Sequence, residues 1–425
     1  MKLVLPAKRA RTHRGSPELE TRSYDLVTTT RMFGGSADNA ARSDTLVIRP
    51  TAVRTELKRW WRALRRDPSP EALWKEESLL WGTASATGSR RSRVEVRVRV
   101  DRANLTSRRA IDVQGRDSSD SPYGYAMWPG DMGQGTTVHT RMPGVSFELR
   151  LTAPSASFDS LEPAVLAMVA FGGIGGRTRR GCGSLGFSGG EPLRARLPHT
   201  ANDVRAFLAP MLEESAVGID HGRLSGSRAV WAQTPRPGAE SAWKEALDWL
   251  KVFRQGDADG RPARAGKYGR SKWPEADSLR NATGKWSNGH APRHPSSSSW
   301  PRAEFGLPIP IKFAPKDSHH EPGASELVWS DAAGKEHPRL ASPLVLKPLQ
   351  LAGGGFVALG LWLNRRTPPG GSVHPKGGHG ARAASPFGAA LPSEAAALYR
   401  PLQGRDSVAE AFIHWVRSRG GQVYP

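Results

Sequence analysis

The chain has 425 residues, a length that the ordinary size of folding units divides into two or three domains. Lysine and arginine number 61 against 40 aspartates and glutamates, a formal net charge of +21 that favours an acidic partner, nucleic acid first. The single cysteine, Cys182, excludes an internal disulfide and a cysteine-built zinc cage; no apolar run reaches the ~20 residues of a membrane span, and Met1 to Pro6 is too short for a signal peptide, so the expectation is a soluble cytoplasmic protein with no membrane partner.

Arg22 to Thr30 predicts a strand, and Met32 to Gly35 a turn. A polar loop carrying Asp38 and Asp44 leads into a helix over 48–66, with Pro50 suited to its first turn. Val53, Leu57, Trp60, Trp61 and Leu64 form its apolar stripe, and Arg54, Lys58, Arg62 and Arg65/Arg66 run beside it. Like charges at this spacing repel by about 0.2–0.5 kcal/mol per pair. Only Glu56 interleaves them, so the basic stripe is expected to face an anionic ligand. Arg93 to Val100 is the clearest strand: its valines point to a core, while Arg93, Glu95, Arg97 and Arg99 point outward. Residues 101–142 are irregular, and Tyr123, Tyr125 and Trp128 are expected to pin that loop rather than to stack on bases. A strand over 145–152, a helix over 161–171 and a short strand near 184–187 complete the series. Strand, helix, strand, strand, helix, strand is the βαββαβ pattern of a ferredoxin-like unit, the scaffold of RNA-recognition modules.

The most informative stretch is 172–185, Gly-Gly-Ile-Gly-Gly-Arg-Thr-Arg-Arg-Gly-Cys-Gly-Ser-Leu. Six glycines, Gly173, Gly175 and Gly176 among them, surround Thr178 and three arginines. Glycine lets a backbone approach a ligand and take positive φ without strain. Arg177, Arg179 and Arg180 supply donor forks suited to phosphate, and successive N–H groups of such a loop can form an anion nest. The combination predicts an exposed polyanion site.

In the second half, Ser241 to Arg254 predicts a helix, and the tract 255–299 is polar and rich in Gly, Ser and Pro. Residues 342–351 and 356–364 read as two strands, and 407–419 as an amphipathic helix. Strand, strand, helix fits the latter part of a second, degenerate ferredoxin-like unit. The expected division is therefore 1–225 and 226–425, an α+β protein of two ferredoxin-like domains with long Gly/Pro-rich loops.

The loop 172–185 resembles the Gly-rich signature of the RAMP superfamily of CRISPR effector subunits. Ile48 to Leu64 is similar to the first-helix block of the largest RAMP subunit of type III-B (Cmr) complexes, as are Leu79 to Thr83, Ser92 to Arg97, Arg270 to Arg280 and Arg339 to Lys347 to later blocks. Arg31 stands where that pattern has proline. The resemblance implies a non-catalytic RNA-binding subunit, with no small-molecule substrate, that contacts guide CRISPR RNA and target RNA near the guide's 3′ side, beside other RAMP subunits. Candidate RNA contacts are Arg54, Lys58, Arg62, Arg97, Arg99 and the loop residues Gly173, Gly175, Gly176, Arg177, Thr178, Arg179 and Arg180; such backbone contacts position RNA without reading its sequence. The alternative is an endoribonuclease of target or precursor RNA, with Asp38 placed where catalytic RAMP subunits carry an aspartate. A third reading is a protein-binding adaptor built on Trp243, Trp249 and Trp415. His319, His320, His374 and His379 have no metal-ligand or catalytic spacing, and neither metal nor cofactor is expected.

Overall fold

The computed structural model describes residues 18–33, 48–67, 69–85, 88–101, 107–109, 139–141, 143–213, 222–255, 271–293, 299–313, 320–376, 384–386, 399–405 and 407–424. Its first unit runs β1 (Leu19–Thr28), α1 (Pro50–Leu64), α2 (Pro70–Trp81), β2 (Glu95–Val100), β3 (Ser146–Pro154), α3 (Phe158–Phe171) and β4 (Leu185–Phe187). The sheet is antiparallel in the order β2-β3-β1-β4, the ferredoxin-like topology. The expected turn at 32–35 starts instead as a short strand, Met32–Phe33 pairing with Thr140–Arg141. Helix α2 went unread; Ser69 caps it by accepting the Ala72 N–H, and Pro70 occupies its first turn.

After α4 (Val204–Leu212), the second unit runs β5 (Arg223–Trp231), α5 (Ala239–Gln255), an insertion, β8 (Leu344–Gln350), β9 (Phe356–Asn364), α7 (Val408–Arg417) and β12 (Gln422–Tyr424). The insertion holds α6 (Glu275–Thr283), β6 (Ile309–Ile311) and β7 (Ser325–Ser330), whose sheet is completed by β10 (Ser372–Pro375) and β11 (Ser385–Pro386). Strand order β8-β9-β5-β12 repeats that of the first unit, so this unit has all four strands of the fold rather than a degenerate subset. The boundary expected after residue 225 falls inside β5.

The two units stack as alternating layers. Tyr24, Leu26, Phe147, Leu149 and Leu151 on the inner face of the first sheet share one core with Val53, Leu57 and Trp60 of α1 and with α3. Val345, Leu349, Val357, Leu359, Leu361 and Trp231, from one face of the second sheet, belong to that same core. The opposite face of the second sheet, Leu344, Leu346, Ala358 and Val230, packs on Trp243, Leu247, Leu250, Phe412 and Trp415 of α5 and α7. Helix α3 thus lies between two sheets, which is why 164–171 is apolar all round and buried throughout. The outer face of the first sheet stays open to solvent, as the burial alternation of β2 and β3 requires. Among the described residues no helix is long and apolar enough to cross a membrane.

Candidate nucleic-acid interface

The loop after α3 lies at the seam between the units and is held from both sides. On the first-unit side, Ser184 bridges Gly173 in antiparallel fashion, Ile174 N–H donates to Gly183 O at 2.9 Å, and Gly183 N–H donates to Arg31 O at 2.8 Å. Thr30 Oγ1 donates to Gly181 O and accepts from Ser184 N–H. Two glycines are sterically required. Gly183 has φ +63°, and a Cβ there would lie 2.0 Å from Ile174 O; Gly181 has φ +78°, and its Cβ would lie 2.5 Å from Trp243 Nε1. Gly175, at φ +95°, is exposed, and Gly176 is half-buried beside it.

From the second unit, Trp243 Nε1 donates to Arg180 O at 2.6 Å, and the Arg179 guanidinium donates to Ser342 O. Lys347, on the face of β8 turned toward the first unit, is fully buried and donates to Val169 O at 2.6 Å and Gly172 O at 2.9 Å. Its ammonium therefore caps the C-terminal end of α3, where the helix leaves carbonyls without partners and its dipole favours a cation. Burial pulls the Lys347 pKa down to about 7.

The loop arginines are half-buried, not exposed as the glycine content suggested. Thr178 to Arg180 form a 3-10 turn whose N–H groups are partly spent: Arg180 and Gly181 donate back to Arg177 O and Thr178 O. What this turn can offer an anion is therefore its side chains more than a backbone nest. Arg177 holds a left-handed φ of +58°, rare for a residue with a side chain and typical of constrained functional turns. Burial, with Arg59 and Arg365 alongside, pushes the Arg179 pKa down to about 10. Burial likewise lowers Arg177, with Arg339 adding to it. Arginine keeps its proton in proteins. The depression therefore means that these cations are desolvated and crowded by one another, a condition that an anion relieves. Cys182, beneath the turn, is buried and its thiol pKa is raised to about 12, so it is inert packing.

Arg59, Arg339 and Arg365 were missed by sequence reasoning, because they come from three separated segments that only the stacking of the units brings to the loop. The doublet Arg365-Arg366 at the end of a strand was the available signal.

The basic stripe of α1 has a different role from the one expected. Arg54 donates to Trp81 O at 2.6 Å and Val94 O at 3.1 Å. Lys58 and Arg62 both pair with Glu77 of α2, at 2.7 and 2.9 Å. The acids absent from the helix itself arrive from its neighbour, so the stripe docks α2. On the open sheet face, Arg97 pairs with Glu95 at 2.8 Å and sits across from Arg150, and Arg99 sits across from Glu148. That face is mixed in charge, and its β2 and β3 positions carry no aromatic platform.

Asp38, Asp44, Tyr123, Tyr125, Trp128, His319 and His379 lie outside the described residues. His320 is exposed, and His374 bonds Ser330 Oγ at 2.8 Å. Trp243 and Trp415 are core residues, not a docking surface, and Trp249 is partly buried against the same core. The block leading to Arg280 is internal architecture: Arg280 pairs with Glu321 at 2.7 Å and Asp277 at 3.1 Å, and Tyr399 donates to Asp277 at 3.1 Å, all of it buried. Among the described residues no group of three or more His, Cys, Asp or Glu side chains is placed to hold a metal ion.

A tandem ferredoxin-like protein with an arginine-bearing glycine loop at its seam is the class so defined. Residues 25–186, which make up most of the N-terminal unit, match the RAMP superfamily model. The chain is similar in structure to Cmr1 from Pyrococcus furiosus in its apo form, at 15% identity and a TM-score of 0.49, over 82% of this chain and 89% of that one. It is also similar to a chain of the type III-B Cmr-β complex bound to cognate target RNA, at 10% identity and a TM-score of 0.45, over 91% and 99% of the two chains. No curated protein matches the chain.

Proposed function

We propose that this chain is a non-catalytic RNA-binding subunit of a type III-B CRISPR RNA-guided ribonucleoprotein, touching guide or target RNA near the guide's 3′ side and neighbouring RAMP subunits in the cytoplasm. The observation that carries this reading is the cluster of half-buried, mutually repelling arginines around 177–180, joined by Arg59, Arg339 and Arg365. It suits a phosphate backbone and offers no base-reading pairs, as a subunit that accepts any guide requires. Pairing between guide and target then supplies sequence specificity. The likeness to Cmr1 and to a chain of the Cmr-β complex bound to cognate target RNA is the fold-level context.

The test is binding of the free protein to unrelated single-stranded RNAs, followed by fluorescence anisotropy across a salt series. Affinity should be insensitive to sequence and fall with salt at a log–log slope of about −0.7 per phosphate neutralised. Arg177→Gly is the informative variant, since glycine accepts φ +58° without strain. It should weaken binding and shallow the slope with no fall in melting temperature. A flat salt response in the parent protein, or strong preference for one sequence over its scramble, would refute the reading.

A further inference from the structure

A cavity of about 410 Å³ opens beside the arginine cluster, between the second unit and its inserted sheet. It falls within the size range of small-molecule sites, about 300–1,000 Å³. Trp362 and Trp300 line it with Pro343 and Pro386, and Arg365 and Arg366 contribute their cations to the lining. Trp362 is only half-buried although it packs on Phe305 and Phe412, with ring centroids 5.4 and 6.3 Å away, so part of its indole faces the cavity. The two wall carboxylates are already engaged. Glu304 accepts the Val408 and Ala409 N–H groups at the start of α7, and Glu410 pairs with Arg228 at 3.3 Å.

One segment joins this cavity to the loop. Leu340, Ala341 and Pro343 line the cavity, Ala341 O accepts from Arg365 at 2.8 Å, and Ser342 O accepts from Arg179. Arg365, which crowds Arg179, thus also lines an aromatic and proline-walled chamber. A chamber walled by tryptophan and proline and flanked by guanidinium groups matches a nucleotide: a base with a π-face to stack and a phosphate outside.

Resting on the RNA-binding reading above, we infer that this cavity receives one unstacked nucleobase of the bound single strand, with its flanking phosphates on Arg365, Arg366 and Arg179. The stacked base anchors the strand at a fixed point while the arginines hold its backbone, and every base has a π-face, so the anchor tolerates any sequence.

The experiment compares the full chain's affinity for a fluorescein-labelled oligouridylate with that for the same ribose-phosphate strand lacking bases. Loss of one stacked base is expected to weaken binding by about tenfold, within the range measured for base–aromatic stacking. Ala341→Phe, from an exposed cavity-lining position, should fill the chamber and abolish that difference; Thr367→Phe fills it from another exposed lining position and serves if the first variant melts early. Equal affinity of the parent for both strands overturns the inference and leaves the RNA-binding reading standing. A base preference that survives in a folded, filled variant also overturns it, because the base then stacks elsewhere. Displacement of the strand by uridine monophosphate at low concentration would assign the chamber to a free nucleotide and overturn it too. No binding of either strand removes both readings.

Discussion

Replacing Lys347 by methionine should destabilise the seam between the units and alter how stability responds to pH. Methionine keeps most of the side chain's length and removes the ammonium, leaving Val169 O and Gly172 O facing a thioether. Each buried carbonyl left unsatisfied costs about 1–3 kcal/mol. Relief from burying a cation opposes this, and two carbonyls at a helix end outweigh it for a net loss of about 3 kcal/mol. For units of this size the loss corresponds to roughly 6–12 °C of melting temperature. The sign with pH follows from the depressed folded pKa of about 7, against 10.5 for an ordinary lysine. Between those values the unfolded chain binds more protons than the folded one, so wild-type stability rises with pH. The variant lacks that rise. The gap between the two proteins, read by differential scanning fluorimetry from pH 6.5 to 9.5, should therefore widen as pH increases. A variant that melts at or above wild-type, or a gap that narrows with pH, would refute the capping role.

Lys58→Met with Arg62→Met should lower stability by about 1–3 kcal/mol, because Glu77 is left buried without a cation, while RNA affinity stays nearly unchanged; lost affinity at an unchanged melting temperature would return the α1 stripe to the RNA track. Burial would raise the Glu321 pKa, but Arg280, Ser287 and His290 outweigh it and hold the carboxyl at about 2, below its ordinary 4.5. Its stabilising contribution is complete above pH 4.5 and is lost as pH falls toward 2. Glu321→Gln should accordingly cost about 3–5 kcal/mol at neutral pH, with the gap narrowing in acid melts; a gap as wide at pH 3 as at pH 7 counts against the ion pair. Asp38→Ala should leave cleavage of target RNA by the assembled complex unchanged in position and nearly so in rate, whereas a general acid or base contributes about 100- to 10,000-fold; loss of one product band with assembly intact would favour the nuclease alternative.

The first unit, α2 apart, was legible because its elements carry a local signal. Val94 to Val100 alternates, α1 has a clean apolar stripe, and 161–171 is a continuous apolar run. β5 was missed because Arg-Leu-Ser-Gly-Ser-Arg-Ala-Val-Trp is interrupted by Gly226 and serines and shows no clear period. Its strand character comes from pairing with β9 through a register shift between Arg223 and Arg228, a tertiary circumstance that no local window contains. β12 is three residues long and exists only as an edge beside β5. With those strands unread, the second unit looked like a fragment of the fold.

Site reasoning divided along the same physical line. The glycines of 172–185 announce a turn whose backbone comes close to its surroundings, and that is what Gly181 and Gly183 do; the thing approached, however, is Trp243 and Ile174 within the protein. Likewise the α1 stripe was expected to face an anionic ligand, and in the structure Glu77 supplies counter-charge to Lys58 and Arg62 from a helix the sequence did not reveal. A basic residue in a sequence marks an unmet charge, and whether protein or RNA meets it depends on what the fold brings alongside. At α1 the fold brings a carboxylate. Around Arg179 it brings Arg59 and Arg365 instead, with Glu56 the acid close by, itself paired to Arg59 at 2.7 Å. Folding thus concentrates positive charge around Arg179 where at α1 it neutralises it, and that contrast is the physical ground for proposing a polyanion site here rather than along the helix.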